Sequence, residues 1–487
     1  MPFSKNKVLS SLAWKLLERS ATQGMQFVIQ IVLARLLLPS DYGMIALVMI
    51  FILLANVFVQ KGFNTALIQK KHADELDFSS ALYLSLFVAV ILYIILFFAS
   101  PYIAIFYREP MLESVLKVLA ITLFFGAFNS IQNAYISKHM MFKKLFYSSL
   151  GAILISGTCG IIAALADFGI WALVIQQLVN QMMVTLILWF TVKWRPHLLF
   201  SFDRIKMLFS FGWKILASAL INTLYADIRT LIIGRVYSPA TLGFYNNGKQ
   251  FPQLIVSNID GTIQSVMFPT LSSHQDDRVR VKEIVRRSIV TSSFVIFPMM
   301  VGLAVVARPL VKILLTEKWL PSVPFLQIFC LMYAIIPIHT ANLQAINALG
   351  RSDIFLKLEI IKKIMGISII IITLPYGVHV LAMGSAFGGI IGSFLNAFPN
   401  KRLLNYSYFE QLKDIFPSLF ISLIMGAVVY LVNYLPLPVG VILGTQVVLG
   451  SVLYVALARL FKLESFHYLT QTIMDLLKIS KREVVKA

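Results

Sequence analysis

Long apolar runs, separated by short polar connections, make up most of this chain. A helix needs about 20 predominantly apolar residues to cross a bilayer. Fourteen such runs occur, near residues 14–37, 44–66, 80–99, 116–137, 148–166, 170–192, 207–234, 243–267, 288–307, 323–348, 356–374, 379–398, 414–433 and 439–458. We therefore predict an all-α polytopic membrane protein with about fourteen transmembrane helices.

One sequence pattern occurs twice. The residues that recur 200 positions apart are Arg35 with Arg235, Pro39 with Pro239 and Gly43 with Gly243. Further along, Gly62 matches Gly261, and the offset there is 199. Each copy holds six predicted helices, and an even number gives both copies the same orientation in the membrane. We predict two parallel, pseudosymmetric six-helix bundles at 1–200 and 201–400. Two additional helices and a basic cytoplasmic tail follow at 401–487.

Composition agrees with this class, because 58% of the residues are hydrophobic and only 13% are charged. The mean hydropathy is +0.81. The net charge of +20 is unevenly distributed: 28 of the 42 Lys and Arg lie on the side of the predicted termini, and 5 lie in the opposite loops. Cytoplasmic loops are enriched in such cations, so both termini are expected in the cytoplasm. The basic charge thus reflects topology and attraction to membrane lipids, and it gives no reason to expect nucleic acid.

Polar residues inside the predicted helices fall on stripes. Residues spaced by three, four or seven positions share one face of a helix. Helix 7 carries Lys214, Ser218, Asn222, Tyr225 and Arg229 on one face, and helix 1 carries Arg19, Gln23, Gln26 and Gln30. Helix 8 carries Asn246, Gln250, Gln253, Ser257, Asp260 and Gln264, bordered by Lys249. The first helix of each repeat therefore has a polar, net basic face.

We interpret these stripes as the lining of a central cavity that binds an anion. A buried cation costs about 2.5–3.5 kcal/mol at the bilayer centre, so it normally faces a cavity or a partner. Arginine suits phosphate oxygens because its fork donates two hydrogen bonds. The candidate substrate-binding residues are Arg19, Gln26, Gln30, Lys214, Asn222, Tyr225, Arg229, Lys249 and Gln253. The alternative is that the amide and hydroxyl members only hold helices together, as such side chains commonly do.

Three further charges are candidates for coupling or gating. Asp227 lies on another face of helix 7 and could bind a coupling ion or form a structural ion pair. Lys61 and Asp260 occupy near-equivalent repeat positions, where opposite charges could close an inner gate or form a solvated surface pair.

No sequence signature of catalysis is present. The chain lacks HExxH and the phosphate-binding GxxxxGK[ST] loop, and its two cysteines, Cys159 and Cys330, form no CxxC pair. We therefore expect a protein that is not an enzyme and has no catalytic residue, metal site or cofactor.

Two segments carry a family resemblance. Residues 33–43 read LARLLLPSDYG and residues 62–69 read GFNTALIQ. They resemble the first two helices of polysaccharide flippases, in the polysaccharide-transporter branch of the multidrug/oligosaccharidyl-lipid/polysaccharide exporter superfamily. The resemblance covers essentially the whole chain. It implies a multidrug-exporter-like fold of two lobes and alternating access.

The implied function is export of a polyprenyl-pyrophosphate-linked oligosaccharide for O-antigen, capsule or exopolysaccharide synthesis. The resemblance implies that cavity cations hold the pyrophosphate, here Arg19, Lys214, Arg229 and Lys249. A polysaccharide polymerase machinery is a possible partner.

Two rival functions remain at this stage. A cation-coupled multidrug exporter of the same superfamily would be expected to have an acidic or aromatic pocket, whereas these stripes are net basic. A membrane glycan polymerase or glycosyltransferase would be expected to have a large external loop with carboxylates, and no predicted loop fits.

Overall fold

The computed structural model describes residues 5–70, 73–471 and 474, without the side chains of residues 5–9, 12, 61–63, 211 and 262. Within that part of the chain all regular structure is helical. The α-helices are α1 (Lys5–Leu36), α2 (Pro39–Asn56), α3 (Gly62–Gln69), α4 (Glu75–Tyr107), α5 (Met111–Leu119), α6 (Thr122–His139), α7 (Phe142–Leu165), α8 (Ile170–Thr191), α9 (Phe202–Val236), α10 (Pro239–Ser272), α11 (Arg278–Leu315), α12 (Val323–Ala334), α13 (Ile336–Ala348), α14 (Ser352–Thr373), α15 (Val378–Leu404), α16 (Tyr408–Leu431) and α17 (Val439–Leu460). A π-helical turn (Val57–Lys61) joins α2 to α3.

The all-α membrane fold is confirmed, and the count of fourteen spans stays a prediction. Eleven helical segments among the described residues are long and apolar enough to cross a membrane. The predicted spans over α1, α10 and α14 are helical but do not meet that criterion. Each carries charged residues within its length, such as Arg19 in α1, Asp260 in α10 and Lys362 in α14.

The chain forms two compact units, Met1–Gly243 and Phe244–Ala487. In unit 1, α1 packs on α7, α7 packs on α8, and α9 packs on α2, α3 and α4. In unit 2, α11 packs on α12, α16 and α17, while α15 packs on α12, α13 and α14. Helix α9, the seventh predicted span, is thus grouped with unit 1. The division at residue 200 stays a prediction from the repeat.

The repeated Pro and Gly residues lie in the first turns of α2 and α10, and these two turns contact each other inside unit 1. A Cβ atom on Gly43 would lie 1.8 Å from the carbonyl oxygen of Pro239. Reciprocally, a Cβ atom on Gly243 would lie 2.1 Å from the carbonyl oxygen of Pro39. No side chain fits at either distance, so both positions require glycine for this close approach of two backbones.

A buried carboxylate, that of Asp77, pairs with two cations near the starts of α4 and α9. The side chain of Asp77 is fully buried and lies 2.6 Å from Lys70 Nζ and 3.6 Å from an Arg204 guanidinium nitrogen. Asp74 caps α4 by accepting a hydrogen bond from the Asp77 backbone N–H at 2.9 Å. These contacts tie the start of α4 to the start of α9.

Polar and small residues also contribute to the contacts between the helices of unit 2. Asn342 on α13 donates to Gln411 on α16 at 2.7 Å and accepts from Asn400 on α15 at 2.7 Å. Cβ atoms on Gly384 and Gly388 would lie within 3 Å of Ile369 on α14. These two glycines therefore permit close packing of α15 on α14.

Candidate functional site

The stripe on α9 lies within unit 1, on a helix that packs on α2, α3 and α4. Lys214 and Asn222 are exposed, whereas Tyr225, Asp227 and Arg229 are half-buried. Arg229 Nε is buried and has no hydrogen-bond partner among the described residues. An unpaired buried donor on a cation is costly, and an anionic ligand would satisfy it.

The stripe on α1 also lies in unit 1, but on a helix that packs against α7. Arg19 is exposed, and Gln26 and Gln30 are half-buried. Gln23 Oε1 is a second buried polar atom without a hydrogen-bond partner in the described part of the chain. Both stripes of unit 1 are thus on helices, α1 and α9, and their joint lining of a cavity stays a prediction.

The candidate residues of α10 lie in unit 2. Lys249 is half-buried and Gln253 is exposed. Asp260 accepts hydrogen bonds from Thr340 on α13 and, at 2.7 Å, from Gln264. The side chain of Lys61, its predicted gate partner, lies outside the described residues.

Sequence reasoning missed a set of charges on α14. Lys362 Nζ lies 2.5 Å from Glu359 Oε1, and both side chains are largely buried, with relative exposures of 16% and 31%. Nearby, the ring of His339 lies between the Asn396 amide, at 2.6 Å, and the Gly389 carbonyl, at 3.1 Å. The signal was present in the sequence, because Lys357, Glu359, Lys362 and Lys363 interrupt an otherwise apolar predicted span.

Two apolar grooves in unit 2 were also missed. One of about 790 Å³ is bordered by α10 and α11, and its lining includes Ile263, Val266 and Ile284. Arg287 also lines it, with its guanidinium 4.3 Å from the ring of Tyr468. The other groove, of about 640 Å³, lies along α10, α11, α16 and α17. Periodicity cannot find such grooves, because a lipid-facing side chain and a groove-lining side chain are equally apolar.

No group of three or more His, Cys, Asp or Glu side chains is placed to hold a metal ion among the residues that the structure describes.

The chain is similar to proteins of polysaccharide biosynthesis. The family model described as "Polysaccharide biosynthesis protein" matches residues 32–324. The lipopolysaccharide biosynthesis protein WzxC of Escherichia coli is 24% identical over 90% of this chain and 87% of its own length. The succinoglycan biosynthesis transport protein ExoT of Rhizobium meliloti is 23% identical over 71% of this chain and 70% of its own length.

Among solved structures, the lipid II flippase MurJ in an inward closed conformation has the same fold. Its TM-score is 0.75 at 16% identity, and the match covers 92% of this chain and 98% of that one.

Proposed function

This chain belongs to the polysaccharide biosynthesis protein family, and we propose from that membership that it is a flippase for lipid-linked oligosaccharides. It moves polyprenyl-pyrophosphate-linked units from the cytoplasmic to the outer leaflet of the inner membrane by alternating access. The family membership agrees with the resemblance found in residues 33–43 and 62–69.

The observation that carries this proposal is that the membrane helices present both polar, cationic stripes and apolar grooves. Such a substrate has a charged, hydroxyl-rich head and a long hydrocarbon chain. The head cannot cross hydrocarbon unless polar groups replace its hydration. The α1 and α9 stripes offer cations and hydrogen-bonding groups, and the grooves of unit 2 offer apolar walls.

The roles that we propose follow from charge. Arg19, Lys214, Arg229 and Lys249 bind the pyrophosphate, because each can donate charge-assisted hydrogen bonds to phosphate oxygens. The neutral members contact sugar hydroxyls; they are Gln26, Gln30, Asn222, Tyr225 and Gln253. The unsatisfied Nε of Arg229 supports this assignment most directly.

The hydrocarbon chain occupies the groove between α10 and α11. Its lining is apolar over most of its length, so a prenyl chain can remain in hydrocarbon-like surroundings there while polar residues bind the head. Arg287 borders the same groove and would face the headgroup level, since an arginine is costly deeper in the bilayer.

Complementation of a strain that lacks its own flippase tests the proposal. Wild type should restore surface polysaccharide, and Arg229→Ala and Lys249→Ala should accumulate the lipid-linked precursor at matched expression. Lys206→Ala is the matched control, because Lys206 is an exposed cation near the start of α9. Restored export in both site variants would refute the site assignment.

Failure of wild type with several glycans, together with raised drug resistance, would instead identify a multidrug exporter. Chain growth in the absence of any polymerase would identify the third candidate, a glycan polymerase.

A further inference from the structure

Unit 1 contains a small, partly open cavity, lined by both polar and apolar side chains, that the stripes do not include. Its volume is about 370 Å³, at the low end of the range of about 300–1,000 Å³ that ligand pockets occupy. Its polar lining comes from five helical elements and consists of Asn56, Gln60, Thr122, Gln177, Gln181 and Thr223. The rest of the lining is apolar, so no charged side chain contributes to it.

A π-helical turn shapes one wall. The turn, Val57–Lys61, follows directly on α2 and contains Gln60, whose Nε2 donates to Asn56 Oδ1 at 3.0 Å. A π-turn holds one residue more than an α-turn and is frequent at functional sites. The hydroxyl of Ser130 on α6 donates to the Gln60 carbonyl at 3.4 Å, which compensates for the irregular backbone.

A glycine on α6 makes room for the same two carboxamides. A Cβ atom on Gly126 would lie 2.7 Å from Asn56 Oδ1 and 3.0 Å from Gln60 Nε2. Any larger residue at Gly126 would displace both side chains. The backbone on both sides of this wall is therefore arranged around a pair of amides.

Helix α8 supplies another part of the lining. The Gln181 side chain is fixed because Asn129 Nδ2 donates to its Oε1 at 3.1 Å, and Asn129 accepts from Thr185 at 2.9 Å. Gln177, one turn earlier, also lines the cavity, and none of the described residues hydrogen bonds its carboxamide. That group is available to a ligand.

The lining chemistry selects among ligands. A pyrophosphate would bring negative charge without a countercharge, and an apolar ligand would strip water from amides without replacing it. A hard cation prefers a site that includes carboxylates, and none lines the cavity. Carboxamides and hydroxyls both donate and accept hydrogen bonds, as sugar hydroxyls and N-acetyl groups do.

We infer that this cavity is a subsite for one uncharged sugar ring of the transported glycan. The inference rests on the proposed function and adds to it a separate neutral site, distinct from the cationic stripes that hold the pyrophosphate. The cavity volume of about 370 Å³ has room for a sugar ring, and we assign the subsite to one position in the repeat unit.

Sugar-dependent thermal stability of the purified full chain in lipid nanodiscs tests the inference. The probes are glucose, galactose, rhamnose and N-acetylglucosamine, with sodium pyrophosphate and sodium chloride as comparisons. A ligand that binds only the folded state raises the unfolding temperature. At least one neutral sugar should stabilise wild type, and Gln177→Leu and Gly126→Ala should weaken that binding about tenfold, as loss of a hydrogen bond to a buried polar group does.

Asn180→Leu is the matched control. Asn180 lies on the same helix but donates to Ser156 on α7 at 3.2 Å, away from the cavity. It should keep sugar binding, and all variants should keep the pyrophosphate response. General stabilisation by sugars as excluded solutes acts equally on every variant, so only differences between variants count.

Three outcomes would overturn the inference. No neutral sugar stabilises wild type, or sugar binding is unchanged in Gln177→Leu and Gly126→Ala. The third is that sodium chloride, and no sugar, stabilises wild type and that both variants lose this stabilisation. None of these outcomes requires transport. A wild type that complements a flippase deletion while failing the sugar test refutes the subsite alone, and one that binds sugar but exports nothing refutes the proposed function.

Discussion

At the scale of single residues, the capping carboxylate of Asp74 makes the stability of the start of α4 depend on pH. The backbone N–H of Asp77 donates to Asp74, and this bond, helped by the Asp77 side chain and Arg204, holds the pKa of Asp74 below its ordinary value. A depressed pKa means that the charged form is stabilised by folding. That contribution is present above the ordinary pKa, near 3.9, and is lost as the pH falls through the lower folded-state value.

We therefore predict that Asp74→Ala destabilises the protein at neutral pH by about 1 kcal/mol, as loss of a helix cap does. The difference from wild type should shrink below about pH 4. Asp74→Asn keeps a capping oxygen without a titrating group and serves as control. Thermal unfolding of the purified protein between neutral and acid pH measures all three, and a difference that grows in acid would contradict the assignment.

A second residue-scale prediction concerns Arg229. Lysine keeps the charge but loses the planar fork that donates two bonds to phosphate. Arg229→Lys should therefore retain more export than Arg229→Gln, and both should fall below wild type. Equal export by wild type and Arg229→Gln, measured as precursor accumulation at matched protein level, would exclude a role in pyrophosphate binding.

At the scale of helices, the close contact between the first turns of α2 and α10 predicts that even an alanine at Gly43 or Gly243 lowers stability and slows export. The Cβ of Gly43→Ala would overlap the Pro239 carbonyl, and overpacking of this kind costs about 1–3 kcal/mol. We expect Gly43→Ala and Gly243→Ala to express but to export several-fold more slowly. Gly24→Ala is the control, because nothing lies within 4 Å of a Cβ there. Unchanged export in both turn variants would show that the close contact is dispensable.

Sequence patterns predicted the helices better than their surroundings. The predicted span 207–234 is part of α9 (Phe202–Val236). It could be predicted because its apolar length and its polar stripe are both visible along the sequence. The cavity around Gln177 was not predicted, since its polar groups come from several helices and form no stripe on any one of them. One signal did exist: the repeat offset falls from 200 at Gly43 to 199 at Gly62, and the π-turn lies between these positions.

At the scale of the whole molecule, the proposed cargo makes transport sensitive to voltage. An anion that moves outward across an inside-negative membrane gains about 2.3 kcal/mol per charge per 100 mV. In proteoliposomes, a potential of that sign should speed translocation of a labelled lipid-linked sugar. The Asp227→Asn variant distinguishes the effect of voltage from that of ion coupling. If Asp227 binds a coupling ion, translocation by the variant no longer speeds up in an ion gradient but still speeds up with voltage. A variant that responds to both like wild type would leave Asp227 a structural role.

The π-turn is also a difference between the two repeats of this chain. In a symmetric dimer of a single repeat, one inserted residue would appear on both sides of the axis, because both subunits share one gene. Here the insertion lies in the first repeat alone, and its counterpart in the second is an uninterrupted helix, α10. The two repeats therefore differ in backbone structure at this position, which the identical subunits of a symmetric dimer would not. Exchanging the order of the halves would therefore not give back the same protein.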